Sequence, residues 1–140
     1  MKIPCEVAVK SVVPAIRALL AIELVENHKM KQKEAAEMLG ITQTAISKYT
    51  HHVRGSTLSI DREEEVMILI TDTAASLASG SVNRSVLVRQ ICAACRLVRE
   101  RGLMCELCRR ANPELDVEQC RVCFSSPRGR PPQERPRRRR

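Results

Sequence analysis

The sequence predicts an all-α protein, and three observations predict it. Apolar residues recur every three or four positions through most of the chain, strand-type alternation is nearly absent, and glycines or cap residues fall where the periodic stretches end. The expected order is a bundle of short helices over 1–56, two longer helices over 57–101, a cysteine-rich module over 92–123 and a disordered Arg/Pro-rich tail over 124–140.

The first helix is expected from about Val12 to Asn27, because Ala15, Ile16, Leu19, Leu20 and Leu24 share one face. Ser11 can serve as its N-cap, and Pro14 is tolerable in a first turn, where backbone N–H groups lack helical partners anyway. Lys33 to Leu39 carries a short stripe of Ala35, Ala36 and Leu39, and Gly40 follows where a left-handed C-cap is wanted. Thr42 then stands as N-cap of a helix from Gln43 to Thr50, with Ala45, Ile46 and Tyr49 inward and Gln43, Thr44, Ser47 and Lys48 outward. After Gly55 and Ser56, Asp61 or a neighbour can cap a helix whose first turn holds Glu63, Glu64 and Glu65 against the positive end of the helix dipole. Val66, Met67, Ile70, Ala74 and Leu77 give that helix its face, and Gly80 closes it. A last long helix is expected from about Ser85 to Arg101 through Val86, Leu87, Ile91, Ala94 and Val98, stopping at Gly102.

A chain of 140 residues has room for one ordinary domain, or a small domain with an appendix, which excludes large multidomain enzymes. Tyr49 and Phe124 are its only aromatics, so base-stacking surfaces are excluded too. No apolar run approaches the roughly 20 residues of a membrane span, and no signal-peptide core follows Met1. The expected location is the cytoplasm, where thiols stay reduced and clustered cysteines favour metal over disulfide. The charge is uneven: residues 124–140 hold seven Arg and one Glu, net +6, so the rest of the chain carries only +2 of the total +8. Such a polycationic arm on a balanced body points to a polyanionic partner.

The segment QKEAAEMLGITQTAISKYTH, residues 32–51, has helix-turn-helix grammar. A small Ala36 suits the helix crossing, Gly40 suits the turn, and Leu39, Ile41, Ile46 and Tyr49 can bury the interface. The polar set Gln43, Thr44, Ser47 and Lys48, with Gln32 and Thr42 at the two helix starts, could then reach base edges and phosphates. An αα-hairpin without nucleic acid is the plainer alternative. His51, His52 and Arg54 follow the second helix, either as a solvated loop or as phosphate contacts.

Residues 4–55 resemble small archaeal predicted transcriptional regulators with an XRE-type, Cro/repressor-like helix-turn-helix, and the resemblance reaches the cysteine pairs near 92–108. It implies a lambda-repressor-like bundle and sequence-specific binding to double-stranded DNA, normally as a homodimer. Lys31 stands where such sequences often place Ser or Thr, which weakens that helix cap by on the order of 1 kcal/mol.

Cys92, Cys95, Cys105 and Cys108 form C-x2-C-x9-C-x2-C, and Cys120 with Cys123 adds a third pair after an eleven-residue gap. Each pair sets two thiols on one side of a turn, and two pairs supply the four sulfurs that zinc or an iron–sulfur cluster requires. The spacing matches no standard zinc module, so zinc and iron–sulfur both stay open, as does which two pairs ligate; the resemblance favours the first two. Cys5, outside the pairs, is expected to pack as a small hydrophobe, although its place beside the helix bundle would let it reach a cluster.

Pro127-Arg128-Gly129-Arg130-Pro131 looks like an AT-hook core, in which Arg128 and Arg130 would lie along a narrow minor groove. The plainer reading is a disordered basic tail. The expected function is a non-enzymatic, DNA-binding transcriptional regulator with a cysteine-ligated metal as structural element or sensor. A protein-interaction adaptor with a zinc-type module and general nucleic-acid affinity is the alternative. Deleting residues 125–140 is predicted to lower DNA affinity and flatten its salt dependence by several units of slope, given about 0.9 unit per phosphate neutralised, while sequence preference persists. Unchanged affinity at low salt in a filter-binding titration would contradict this.

Overall fold

The computed structural model describes residues 1–51 and 60–125, and within them the secondary structure is entirely helical. Seven α-helices follow in order: α1 Pro4–Lys10, α2 Val12–Ile22, α3 Gln32–Leu39, α4 Gln43–Thr50, α5 Glu64–Ala78, α6 Arg84–Glu100 and α7 Cys105–Ala111. Short 3-10 turns lie at Ile60–Arg62 and Cys123–Ser125. No helix among the described residues is long and apolar enough to cross a membrane.

The centre of the fold is α2. Val12, Ala15, Ile16, Ala18, Leu20 and Ala21 are all buried, so the helix is apolar around most of its circumference. It packs against α1, α3, α4, α5 and α6, and its three buried alanines keep its surface low where neighbours cross. Burying a side chain such as Ile16 completely contributes roughly 1.5–3 kcal/mol.

The helical register of α2 ends at Ile22, and Glu23–Asn27 continues as a π turn in place of the α-helix expected as far as Asn27. His28 N–H donates to Glu23 O at 3.1 Å, five residues back, and the widened turn keeps Leu24 fully buried. The cap also differs from expectation. Ser11 makes no side-chain bond to the start of α2; its hydroxyl donates backward to Val7 O at 2.7 Å, closing α1. Two turns long, α1 leaves no periodic signature, but Pro4 at its first position and Glu6, which accepts the Ile3 N–H at 2.8 Å, start it locally.

Helices α5 and α6 pack on each other and on α2. Asp61 does not cap α5, because it lies in the preceding 3-10 turn, and Glu63 holds the cap position without a side-chain bond. Gly80, at φ 73°, makes the left-handed turn out of α5, and Asn83 caps α6 by accepting the Val86 N–H at 3.0 Å. Thr73, polar and buried, donates to Leu69 O at 2.6 Å.

The chain then returns to its start. Gly102, at φ 72°, turns it into α7, which packs on α1. There Lys2 N–H donates to Asn112 Oδ1 and Asn112 Nδ2 donates to Lys2 O, both at 2.8 Å. A single apolar cluster runs from Val7 through Met104 and Cys108, so the stretches of different texture share one core.

Candidate nucleic-acid interface and cysteine cluster

Gly40 takes φ 65° and ψ 34° at the end of α3, the left-handed conformation a side chain resists, and the Ile41 N–H returns to Ala36 O at 3.0 Å. Two residues later Thr42 Oγ1 accepts the Ala45 N–H at 3.1 Å and starts α4. Ala35, Ala36, Leu39, Ile46 and Tyr49 are buried where α3, α4 and α2 meet. Lys31, at the α3 cap position, makes no side-chain cap bond.

That clamp leaves one side of α4 outside. Thr42, Gln43, Thr44 and Lys48 are exposed, while Ser47 is half-buried, as is Gln32 at the start of α3. His51 is exposed and holds its Nδ1 at 2.6 Å from Ser47 O; a carbonyl partner makes Nδ1 the protonated nitrogen. The structure thus brings Thr42, Gln43, Thr44, Ser47, Lys48 and His51 onto α4 and its two ends, with Gln32 on the neighbouring helix. His52, Arg54, Arg128 and Arg130, and with them the AT-hook-like core, lie outside the described residues.

A helix-turn-helix family model matches residues 22–51. The match begins at the last residue of α2 and ends just after α4, so it covers the turn geometry above and the helix that presents the polar face. No curated protein and no solved structure matches the chain.

Cys92 and Cys95 stand one turn apart on α6, Cys105 and Cys108 one turn apart on α7, and Cys120 and Cys123 in the turn that leads to Phe124. Burial pushes the Cys105 thiol up from its ordinary pKa, and the neighbouring thiols of Cys123 and Cys120 add to the shift. Burial does the same for Cys108, beside Cys123, Cys105 and Cys120, with Arg99 opposing. Cys95 is also raised by burial, against the pull of Arg99, and its thiol neighbours are Cys5, Cys92 and Cys123. Among the described residues, no three His, Cys, Asp or Glu side chains are already placed to hold a metal ion.

Arg99, which sequence reasoning passed over, lies near Cys5, Cys95, Cys108 and Cys123. Its Nη1 donates to Cys5 Sγ at 3.5 Å, and the nearby Cys123 thiol pushes its pKa up from the ordinary value, against the opposing effect of burial. Its Nε is buried without a hydrogen-bond partner among the described residues. The signal was present in the spacing: Arg99 follows Cys95 by one helical turn and Cys92 by two, so all three share a stripe of α6. Cys5 was expected to be packed away as a hydrophobe; it is exposed, because the short α1 turns it outward toward Arg99.

A raised thiol pKa means less thiolate at neutral pH. In reduced, metal-free protein, alkylation of Cys108 by iodoacetamide at pH 7 is predicted to run slower than for free cysteine, and to accelerate as pH rises, since the thiolate is the nucleophile. Mass-spectrometric rates equal to those of free cysteine at pH 7 would contradict this.

Proposed function

We propose that this chain is a sequence-specific DNA-binding transcriptional regulator in which α4 enters the major groove. The observation that carries the reading is the contrast between the two sides of α4. Ile46 and Tyr49 anchor it in the core, and Gln43, Thr44 and Lys48 stand free on the other side, within a segment that matches a helix-turn-helix family. Gln43 and Thr44, in the first turn, suit base-edge contacts, since recognition helices read bases with their N-terminal residues. Lys48, Gln32, Thr42 and His51 suit phosphates, which fix the register of the protein on the duplex. Arg54 would extend the phosphate contacts, and Arg128 and Arg130 would add minor-groove affinity. Two copies of the chain would read paired half-sites, as the resemblance to Cro-like domains implies.

A thiolate-bound metal belongs to the same reading, and the donor set fits it. One thiol of each C-x2-C pair, Cys95, Cys108 and Cys123, lies within electrostatic reach of the Arg99 guanidinium, whose Nε lacks a partner among the described residues, an environment that favours an anionic metal–thiolate group over neutral thiols. The ligands would come from Cys92, Cys95, Cys105 and Cys108, with Cys120 and Cys123 as the alternative pair. Zinc would supply a structural cross-link, and an iron–sulfur cluster a redox response.

Selection from random double-stranded DNA with the full chain is expected to return a preferred sequence. Lys48→Glu combined with Gln43→Ala is expected to weaken binding to it about 100-fold, from one lost base contact of roughly 1–3 kcal/mol and one reversed charge. Unchanged specific binding would reject α4 as the reading helix. A selection that returns no preference, beside a stable protein complex, would favour the adaptor reading.

A further inference from the structure

We propose that α5 and α6 form the face on which two copies of this chain pair, with α5 of one copy lying along α6 of the other about a two-fold axis parallel to the helices. The inference rests on the reading that two copies act together on DNA, and it names the surface that joins them.

The outer side of this helix pair carries apolar residues among charges. Ile68 on α5 is 54% exposed and Val88 on α6 is 59% exposed, while each helix buries its other side, α5 through Val66, Ile70 and Leu77 and α6 through Leu87, Ala94 and Val98. Ala75 and Ala78 are exposed on α5 as well, so Ile68, Ala75 and Ala78 make an outer stripe opposite the core stripe. Single exposed apolar residues are ordinary; the charges beside them say what covers these. On α5 the exposed charges without an ion pair among the described residues are Glu64 and Asp72, both acidic. On α6 they are Arg84, Arg89 and Arg96, all basic. The two outer sides are therefore complementary to each other, and a second copy supplies both.

Symmetry selects how the copies meet. Arg101, just past α6, pairs with Glu65 in the first turn of α5, while the turn at 79–83 joins the opposite ends, so the two helices run antiparallel with Glu65 level with Arg101. A two-fold axis across the helices would set α5 on α5 and α6 on α6, acid against acid and base against base, which disfavours that pairing. An axis along the helices sets α5 on the other copy's α6 and keeps every residue at its own height. The register then follows from the Glu65–Arg101 pair. Seven residues up α5 from Glu65, Asp72 comes within two residues of the level of Arg96 in the second copy, about 3 Å along the axis. Thirteen residues up, the small Ala78 is level with Val88, thirteen residues before Arg101. Acid meets base and a large side chain meets a small one, and the axis makes each contact twice.

Sedimentation equilibrium of the full chain, reduced and free of DNA, tests the interface. In the micromolar range the mass should be twice the 15.7 kDa of one chain. Asp72→Arg sets arginine against Arg96 of the second copy, and Arg96→Asp sets aspartate against Asp72. Each reversal should raise the dissociation constant about 100-fold, the scale of like charges facing each other across an interface. An equal mixture of the two variants should recover most of the affinity, because in the mixed pair both contacts are again acid against base. Val88→Lys should weaken pairing by about tenfold or more, the scale of a buried valine lost on each side. All three sites are exposed, and far-UV circular dichroism of each variant checks that the fold is kept. A chain that stays monomeric through that range, a dimer that neither charge reversal disturbs, or two weakened variants that do not recover on mixing would each overturn the interface. None of these results touches α4, whose reading is tested by the selection from random DNA whether one copy binds or two.

Discussion

Everything in the molecule depends on the burial of α2. Val12, Ile16 and Ala21 have no exposed surface, and Leu24 keeps its place in the core only because the helix widens into a π turn after Ile22. Because α2 touches α1, α3, α4, α5 and α6, its position determines theirs. The consequence for function is rigidity. Ile46 and Tyr49 dock α4 against that helix, so the polar side of α4 is presented at a fixed angle by close-packed atoms that resist adjustment.

The same helix joins the two chemistries. The cysteine-bearing α6 packs on α2, and so does α1, whose Cys5 reaches Arg99; Lys2, two residues before α1, is tied to Asn112 beyond α7. Met104 and Cys108 enter the core that also holds Ile46 and Tyr49. A ligand that binds only the folded cysteine module stabilises the folded chain by mass action. With one shared core, that stabilisation extends to the helices that present α4.

Much of the fold was legible where local chemistry and periodicity agree. Gly40 and Thr42 mark the turn and cap they form, the acidic start of α5 is read directly, and the stops at Gly80 and Gly102 follow from φ angles that favour glycine. The misreadings share a cause: a side chain with two partners available. Ser11 could bond forward to α2 or back to Val7 O, and Asp61 could cap α5 or sit in a 3-10 turn; each choice depends on packing that adjacent residues do not encode. Helices α1 and α7 are too short to show a period. Arg99 was hidden for a different reason. On an amphipathic helix a lone arginine reads as a solvated charge, and only the fold brings Cys5 and Cys123 to it.

The central claim is that the outer side of α4 meets DNA because α2 holds its inner side. It is tested most directly by amide chemical-shift mapping of the full chain during titration with its selected duplex. The account predicts the largest shifts at Thr42, Gln43, Thr44 and Lys48, smaller ones at Gln32 and His51, and almost none along the middle of α5. Shifts concentrated on α5 and α6, with α4 unmoved, would contradict it.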